Sequence, residues 1–301
     1  MNLEQIPALI PHPMKTIEWR WPGGKRGAVL FNICLEAWSD GKAPGIGPMG
    51  NPLPPAPGVL DTNAISWAEY GAKRGIYRLL EGLAGSGIKS SVMTNAVLAE
   101  RHPQAVRAVA DAGHEVLSHS YAMDVIPVLL SEEDERKNIR RCTELLANVA
   151  GKPVRGWLSP RGTPSLNTGR LLAEAGYQWH GDVMDEDLPY VQTFGDRKLV
   201  AIPLNTDVND MPFMRYGRVP ESMLSMFESI VARALARERG PFIVDVTVHA
   251  HIFGRPGGAW VVERIAGIVA GSPELWSGTR AEMASHVLSL GALIPVERGR
   301  G

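Results

Sequence analysis

Chemically capable side chains stand directly after apolar, β-rich runs of this sequence. Glu36 follows the run AVLFNICL, and His119 ends the run EVLSH. Arg161 lies in the segment SPRGTP, and His249 ends the run FIVDVTVH. Carboxylates and imidazoles can transfer protons, and a guanidinium can hold a carboxylate or a carbonyl oxygen. We interpret these four residues as the catalytic candidates.

Each candidate has more than one reading. Glu36 is the best general acid or base, because burial after an apolar run would raise its pKa toward neutrality, although a strand-end carboxylate can also simply pair with a basic residue. His119 can be an acid–base group, a metal ligand or a core imidazole. His249 and His251 alternate with Ala250, so on a strand both would face the same side as a ligand pair or a proton relay.

Five further residues near the same strand ends are candidates for substrate binding. They are Trp38, Tyr121, Asp187, Asn209 and His251. Aromatic rings could line a pocket, and the polar groups could fix the orientation of a small substrate. Core packing is the alternative for any one of the tryptophans near the strand ends.

A repeated unit must position these side chains. A helix-like segment, a glycine and a β-rich run recur in four places, at residues 79–94, 106–119, 145–158 and 171–182. Glycine can end a helix in the left-handed conformation that a Cβ disfavours. Further strands are predicted at residues 28–36, 199–204 and 242–249. About seven strands alternating with helices predict a parallel sheet, whose carboxyl ends form one rim where active sites are built.

Two segments interrupt this pattern. Residues 39–58 are too rich in proline and glycine for a helix or a strand, so they form either a substrate loop or an assembly contact. The second break covers residues 183–198 and contains DEDLPY. We predict an extension at residues 1–24 and a single domain at residues 25–301.

Composition excludes several classes of protein. Lys+Arg 31 against Asp+Glu 32 in 301 residues gives a net charge of −1, which offers no electrostatic basis for binding nucleic acid. There is no apolar run near the roughly 18 residues that span a bilayer. Two cysteines, Cys34 and Cys142, are too few for a disulfide framework or a zinc–cysteine site. The start of the chain lacks the pattern of a signal peptide, so a cytoplasmic location is expected.

Several of these segments together resemble the polysaccharide deacetylase (NodB-homology) superfamily, and within it the branch of allantoinases and cyclic-imide hydrolases. The segments are GHEVLSHS, the helix and loop that run from LSEEDERKN to SPRGTP, DEDLPY, IPLNTDVNDMPF and VHAHIFGRPGG. The resemblance covers residues 25–290. It implies an α/β fold, a distorted (β/α)7-type barrel, and a hydrolase of carbon–nitrogen bonds other than peptide bonds. It also implies a small-molecule substrate and a homo-oligomer.

The chain departs from the metal motif of this family. Deacetylases of the family have two aspartates after the first strand, where this chain has Asn32, Cys34 and, as the only acid, Glu36. Met123 replaces the second histidine of the pattern that His119 begins. We therefore favour a site without a metal cofactor. The alternative is a rearranged site for a divalent metal such as zinc, with Glu36, His119 and His251 or Asp124 as ligands.

The residues suggest a mechanism for a small, activated and therefore cyclic amide, ureide or imide. Glu36 would take a proton from water, His119 or a backbone amide would polarise the carbonyl, and His249 would protonate the leaving nitrogen. Arg161 and His249 fall at the family's arginine and late histidine positions. The alternatives are a metal-dependent carbohydrate N-deacetylase and an inactive barrel that binds a small molecule or acts as a scaffold.

Overall fold

The computed structural model of the chain describes residues 18–44, 58–215, 217–238 and 240–299. Eleven strands are found there: β1 Gly27–Leu35, β2 Ser90–Thr94, β3 Glu115–Ser118, β4 Gly156–Trp157, β5 Trp179–His180, β6 Tyr190–Phe194, β7 Arg197–Ala201, β8 Val208–Asn209, β9 Phe242–His249, β10 Leu275–Ser277 and β11 Val296–Arg298. Ten α-helices accompany them: α1 Thr62–Tyr70, α2 Ile76–Ala84, α3 Val97–Arg101, α4 Pro103–Asp111, α5 Glu132–Ala150, α6 Thr168–Glu174, α7 Asp210–Arg215, α8 Pro220–Arg237, α9 Pro256–Ala270 and α10 Arg280–Ser289.

The strands form one sheet in the order β11-β6-β7-β5-β4-β3-β2-β1-β9-β8, with β10 paired to the start of β1. Seven of them, β1, β2, β3, β4, β5, β7 and β9, run parallel to one another, and helices cover their outer side. The prediction of an α/β fold with about seven parallel strands is confirmed. Within the described residues no backbone ladder joins β7 to β8 or β9, so hydrogen bonds between strands do not close the ring.

The structure contains a strand in the second segment that was predicted to interrupt the pattern, which corrects the sequence prediction. Residues 183–198 were expected to lie outside the repeating pattern, but β6 lies within them and pairs antiparallel with β7. The turn between the two strands contains Gly195 with a φ of +59°, which favours glycine. This hairpin also makes β7 begin at Arg197 and end at Ala201, before the predicted end at residue 204.

The predicted glycines end their helices as expected. Gly113, Gly151 and Gly176, which follow α4, α5 and α6, have φ angles of +79°, +66° and +82°. In this left-handed conformation the chain leaves the helix and turns into the next strand. The repeated unit recognised in the sequence is therefore a real structural unit.

Alternate residues of β1 face opposite sides of the sheet. Val29, Phe31, Ile33 and Leu35 pack against the helices, whereas Ala28, Leu30 and Cys34 belong to the cluster inside the ring. Because side chains alternate along a strand, Glu36 continues the inner row at the carboxyl end of β1. The alternation along β1 thus places the Glu36 carboxylate at the mouth of the ring.

Asn32, expected near the chemistry at the end of the first strand, lies deeper, in a buried polar network. Its Nδ2 donates to Asp245 Oδ1 at 2.9 Å, and its Oδ1 accepts from Arg280 Nε at 2.9 Å. Arg280 Nη2 also reaches Asp245 Oδ1 at 2.7 Å. The same network bridges the gap in the ring, because the amide of Asn205 donates to Asp245 Oδ2 and Arg280 donates to the carbonyl of Ile202.

The predicted extension lies partly outside the described residues, which begin at residue 18. Trp19 and Trp21 are buried against each other and beside His286 of α10. The division into residues 1–24 and 25–301 stays a prediction. Residues 45–57 of the predicted loop 39–58 are also outside the described part, so its role stays open. Of the described helices, none combines the length and the apolar character needed to span a bilayer.

Candidate functional site

Glu36 is the centre of a buried cluster of imidazoles at the carboxyl ends of β1, β3 and β9. Its side chain is only about 5% exposed. Oε1 lies 3.8 Å from His119 Nε2 and 3.6 Å from His249 Nε2, and Oε2 lies 3.9 Å from His251 Nε2. The predicted catalytic residues Glu36, His119 and His249 therefore lie close together in the structure, with His251 beside them.

His249 is held by a carboxylate that the sequence reading missed. Asp210, the first residue of α7, accepts from the His249 ring at Nδ1 (2.6 Å) and from the His249 backbone amide (2.8 Å). Its Oδ2 also accepts from the amide of Phe253 at 3.1 Å. Two backbone contacts and one ring contact fix the imidazole so that Nε2 faces Glu36.

The orientation of His119 is fixed in the same manner by a backbone group. Its Nδ1 lies 2.6 Å from the carbonyl oxygen of Leu158. A carbonyl can only accept, so Nδ1 carries a proton and Nε2 is the ring atom that faces Glu36. The role predicted for His119 in polarising a carbonyl stays a prediction.

His251 sits between aromatic rings just beyond β9. The strand ends at His249, so His251 lies in the following turn and not on the strand, contrary to the reasoning that paired the two residues by alternation. Its ring centroid is 4.4 Å from that of Trp67 and 5.7 Å from those of Trp38 and His249. Both ring nitrogens are buried and have no hydrogen-bond partner among the described residues.

The pKa of Glu36 is lower than its ordinary value, whereas the sequence predicted a raised pKa. Burial alone would raise the pKa of Glu36, but His249 and His119 outweigh burial and lower it to about 2. Burial opposes protonation of His249, yet Cys34, Asp210 and Glu36 raise the pKa of this imidazole well above its usual range. Burial lowers the pKa of His251 to about 3. The pairing at neutral pH is an ionised Glu36 beside a protonated His249 and a neutral His251.

A cavity of about 330 Å³ opens beside Glu36. Its walls come from the segment after β1, from α1 and the turn after it, and from α3 and His102: Glu36, Ala37, Trp38, Ser39, Asp40, Gly41, Ala43, Leu60, Ile65, Ala68, Glu69, Ala72, Leu98, Arg101 and His102. Trp38, a predicted substrate-binding residue, lines this cavity. Trp157 and Trp179 are fully buried core residues.

Other predicted site residues do not contact the cluster. Arg161 is exposed in a turn with a φ of +60°, and Asp187 is exposed in the segment before β6. Tyr121 donates to Glu100 at 2.6 Å, and its ring is covered by the guanidinium of Arg141. Asn209 accepts from the amide of Met211 at the start of α7. The side chains of Tyr121 and Asn209 are thus engaged elsewhere, and no contact supports the roles predicted for Arg161 and Asp187.

Two further aspartates near these strand ends accept hydrogen bonds from backbone amides, Asp210, which is buried, and Asp182, which is half-buried. Asp210 follows Asn209, and Asp182, which accepts from the amide and the hydroxyl of Ser159 at 2.7 Å each, precedes Asp187. Burial raises the pKa of Asp182. The position directly after a short β-rich segment is the sequence signal that both residues share.

The cluster also contains residues that could hold a metal ion, but they are not the set that the sequence predicted. Possible ligand atoms of Cys34, Glu36 and His249 all lie within 4.8 Å of one another, whereas the expected set of Glu36, His119 and His251 is not among the groups so arranged in the described chain. Burial raises the pKa of the Cys34 thiol. The Asp210–His249 contact is the carboxylate–histidine arrangement that commonly orients a metal ligand.

Comparisons with known proteins bear on the fold and the family. Residues 69–180 match the family described as polysaccharide deacetylase. The peptidoglycan deacetylase of Helicobacter pylori is 23% identical over 224 residues, which cover 64% of this chain and 76% of that protein. The resemblance noted in the sequence is confirmed.

Two solved structures share the fold over nearly their full length. A Mycobacterium smegmatis protein classed as a polysaccharide deacetylase has a TM-score of 0.79 and 28% identity, with 94% of this chain and 97% of that chain covered. The PuuE allantoinase has a TM-score of 0.77 and 24% identity, with 94% and 99% covered. The predicted NodB-like architecture is confirmed by these likenesses.

Proposed function

We propose that this chain, which carries a polysaccharide deacetylase domain, hydrolyses the carbon–nitrogen bond of a small amide, and in particular of a cyclic ureide or imide. The predicted enzyme class, a hydrolase of carbon–nitrogen bonds other than peptide bonds, is confirmed by the family match and by the named deacetylase and allantoinase relatives. The substrate within that class is our proposal.

The observation that carries the proposal is the buried array of Glu36, His249 and Asp210, of which Glu36 lines the cavity. It combines a fixed proton acceptor with a protonated imidazole whose direction is set by a carboxylate. Such an acid–base pair is what hydrolysis of an amide needs, because water must lose a proton while the departing nitrogen gains one.

The charges suggest how the two groups work in turn. Glu36 accepts a proton from the water molecule that attacks the carbonyl carbon, and His249 donates its proton to the nitrogen as the carbon–nitrogen bond breaks. Loss of the His249 proton removes the cation that holds the pKa of Glu36 low, so Glu36 retains the proton taken from water until the nitrogen has left. Return of the proton from Glu36 to His249 restores the starting state.

The size of the cavity supports a small substrate. A volume of about 330 Å³ is near the lower end of the range of ligand pockets, and most of its walls are apolar. Trp38 offers a flat surface against which a planar ring can pack. A cyclic ureide or imide is planar and activated, and so suits acid–base catalysis without a Lewis acid.

The test is hydrolysis of two substrate classes by the purified protein. We expect ring opening of five- or six-membered cyclic ureides or imides, measured as release of a carboxylic acid, and no release of acetate from N-acetylated oligosaccharides. Glu36→Gln should lower kcat/KM by at least about 10²–10⁴-fold without loss of folding, because the amide cannot accept the proton.

The matched control is Glu263→Gln, the same change at an exposed position of α9. It should leave kcat/KM unchanged within about twofold. Full activity of Glu36→Gln would remove Glu36 from the base role, and inactivity toward every cyclic substrate would contradict the proposed substrate class.

A metal-dependent N-deacetylase is the second candidate, since the ligand atoms of Cys34, Glu36 and His249 converge. A divalent cation held by these residues would polarise the substrate carbonyl. Acetate release that requires added metal would favour this candidate. The predicted cytoplasmic location, the homo-oligomer and the absence of nucleic-acid and membrane partners remain predictions.

A further inference from the structure

A second cavity, of about 270 Å³, opens at the end of the sheet opposite to Glu36. Three elements that are distant in the chain form its walls: α6, the hairpin of β6 and β7, and the end of β11. The residues that matter here are Arg170, Glu174, Phe194, Arg197, Arg298 and Gly299. β7 runs in the same direction as β1 and begins at Arg197, whereas Glu36 follows the end of β1. The cavity therefore lies at the amino ends of the parallel strands and shares no wall with the cavity beside Glu36.

We propose that this cavity binds a compact phosphate-bearing anion, either inorganic phosphate or a small phosphate monoester, between the guanidiniums of Arg197 and Arg298. A planar guanidinium donates two parallel hydrogen bonds that match the spacing of phosphate oxygens. The volume is just below the range of about 300–1,000 Å³ that is usual for pockets of organic ligands, which suits a compact anion. The inference goes beyond the proposed function, because no residue of the acid–base cluster takes part in it.

Arg197 and Arg298 carry positive charges that the described chain does not neutralise. Both are exposed, and the ion pairs found among the described residues include neither of them. Arg197 Nη1 donates to the carbonyl of Ala173 at 3.3 Å, which leaves its remaining N–H groups available. Glu297 precedes Arg298 on β11, so its side chain points to the other face of that strand. Asp196 lies in the exposed hairpin turn and is not part of the cavity wall.

The carboxylate in the cavity wall, that of Glu174, is already engaged. It accepts from Arg136 at 2.6 Å and from Arg170 at 3.0 Å. Arg170 also lies 2.9 Å from Glu132. These two arginines and two glutamates balance one another, and the cavity keeps the charges of the other two arginines. An anion is therefore the ligand that this wall favours.

The floor of the cavity is the ring of Phe194, and backbone groups hold it in place. A Cβ at Gly169 of α6 or at Gly299 would overlap this ring, so both backbone segments pack directly against it. The amide of Gly299 donates to the carbonyl of Thr193 at 2.9 Å. The end of β11, which carries Arg298, is thus fixed against the strand that leads to Arg197, and the two guanidiniums are presented from a paired sheet and not from a loop.

The experiment is isothermal titration calorimetry of the full-length protein with inorganic pyrophosphate in a chloride buffer at an ionic strength of about 0.15 M. We expect saturable binding of one pyrophosphate per chain. Arg197→Gln and Arg298→Gln should each weaken binding by about 10-fold or more, as loss of a charge-assisted hydrogen bond does. Parallel titrations with inorganic phosphate and glycerol 3-phosphate distinguish the two sources of the group. Tighter binding of the ester assigns the site to an organic phosphate, and tighter binding of phosphate assigns it to the free ion.

The matched control is Arg264→Gln, the same change at an exposed position of α9 outside the cavity. It should keep the affinity of the wild type. If a cavity variant fails to fold, crystals of the wild type soaked in tungstate, a tetrahedral oxyanion, give an independent answer, with anomalous density expected between Arg197 and Arg298. No saturable binding, an equal loss in Arg264→Gln, or tungstate bound only elsewhere would overturn the proposal.

Discussion

Asp210 contacts His249 at two points, the ring and the backbone amide, and the amide of Phe253 in turn donates to Asp210. The carboxylate meets the ring nitrogen and two backbone amides, so its own position is fixed as firmly as that of the imidazole. A carboxylate that cannot turn away keeps the His249 ring in a single orientation. The consequence can be tested at this one residue.

Asp210→Asn should lower kcat by about 10²–10⁴-fold while KM changes little, because the amide keeps the shape but cannot hold His249 as a cation. We also expect the alkaline limb of the pH–rate profile to move to lower pH, since the amide no longer raises the pKa of His249, which must be protonated to act as the acid. Steady-state kinetics against pH measure both effects.

The control is Asp207→Asn, the same change at a nearby exposed residue. It should keep kcat within about twofold and leave the pH profile in place. Equal loss in both variants, or a large rise in KM alone for Asp210→Asn, would argue that Asp210 supports the local fold and not the state of His249.

The residue scale also shows where sequence reasoning fails. Burial of Glu36 could be predicted from the apolar run before it, and that prediction was correct. The direction of its pKa could not, because the three imidazoles that lower it lie more than eighty residues away in the chain. Desolvation can be anticipated from a local pattern, but an ion pair depends on which distant strands become neighbours.

At the scale of elements, His114 ties β3 to β2. Its Nδ1 lies 2.9 Å from the amide of Ser90 and 2.8 Å from the Ser90 hydroxyl, so the nitrogen must carry a lone pair to accept from the amide. Burial and the nearby Lys89 lower the pKa of His114 from 6.5 to about 4. The folded protein therefore prefers the neutral ring.

This pKa predicts a dependence of stability on pH. Between about pH 6.5 and pH 4 the unfolded chain binds a proton at His114 that the folded chain refuses, so stability is full above pH 6.5 and is lost as the pH falls toward 4. Urea unfolding at pH 7 and pH 4.5 measures this loss.

His114→Asn serves as the comparison, because its side-chain oxygen can accept from the Ser90 amide but does not titrate. The free energy of unfolding of this variant should fall less between the two pH values than that of the wild type. Identical falls would show that other groups account for the acid sensitivity.

The elements themselves were mostly predictable, and the reasons are physical. The strand at residues 242–249 matches β9, and Ser131 caps α5 by accepting from the amide of Asp134, because these features follow from local pattern. The strand β6 was missed because an antiparallel strand has no helix before it to reveal it. Asp210 was missed because the boundary between a two-residue strand and a helix leaves little pattern to read.

At the scale of the whole molecule, Arg280 connects distant parts of the ring. It is fully buried at the start of α10 and contacts Asn32 of β1, Asp245 of β9 and the carbonyl of Ile202 after β7. A buried charge of this kind is costly if its partner is removed.

Arg280→Met should lower the free energy of unfolding by about 3–5 kcal/mol, because Asp245 is left buried without its cation. The double variant Arg280→Met/Asp245→Asn should lose less than the single one, since no uncompensated charge remains. Urea unfolding of the three proteins measures the difference. A loss below about 1 kcal/mol for Arg280→Met, or a double variant weaker than the single, would contradict this account.

The buried network of Asn32, Asp245 and Arg280 has a structural consequence for the ring as a whole. Within the described chain the backbone ladder runs without interruption from β11 to β8, and the opening between its inner ends is spanned by Asp245, Arg280 and their backbone partners. Side-chain bonds can be remodelled by single substitutions, whereas a ladder needs many. The circumference of the ring can therefore change at the gap between β7 and β8, while the remaining strands keep their pairing.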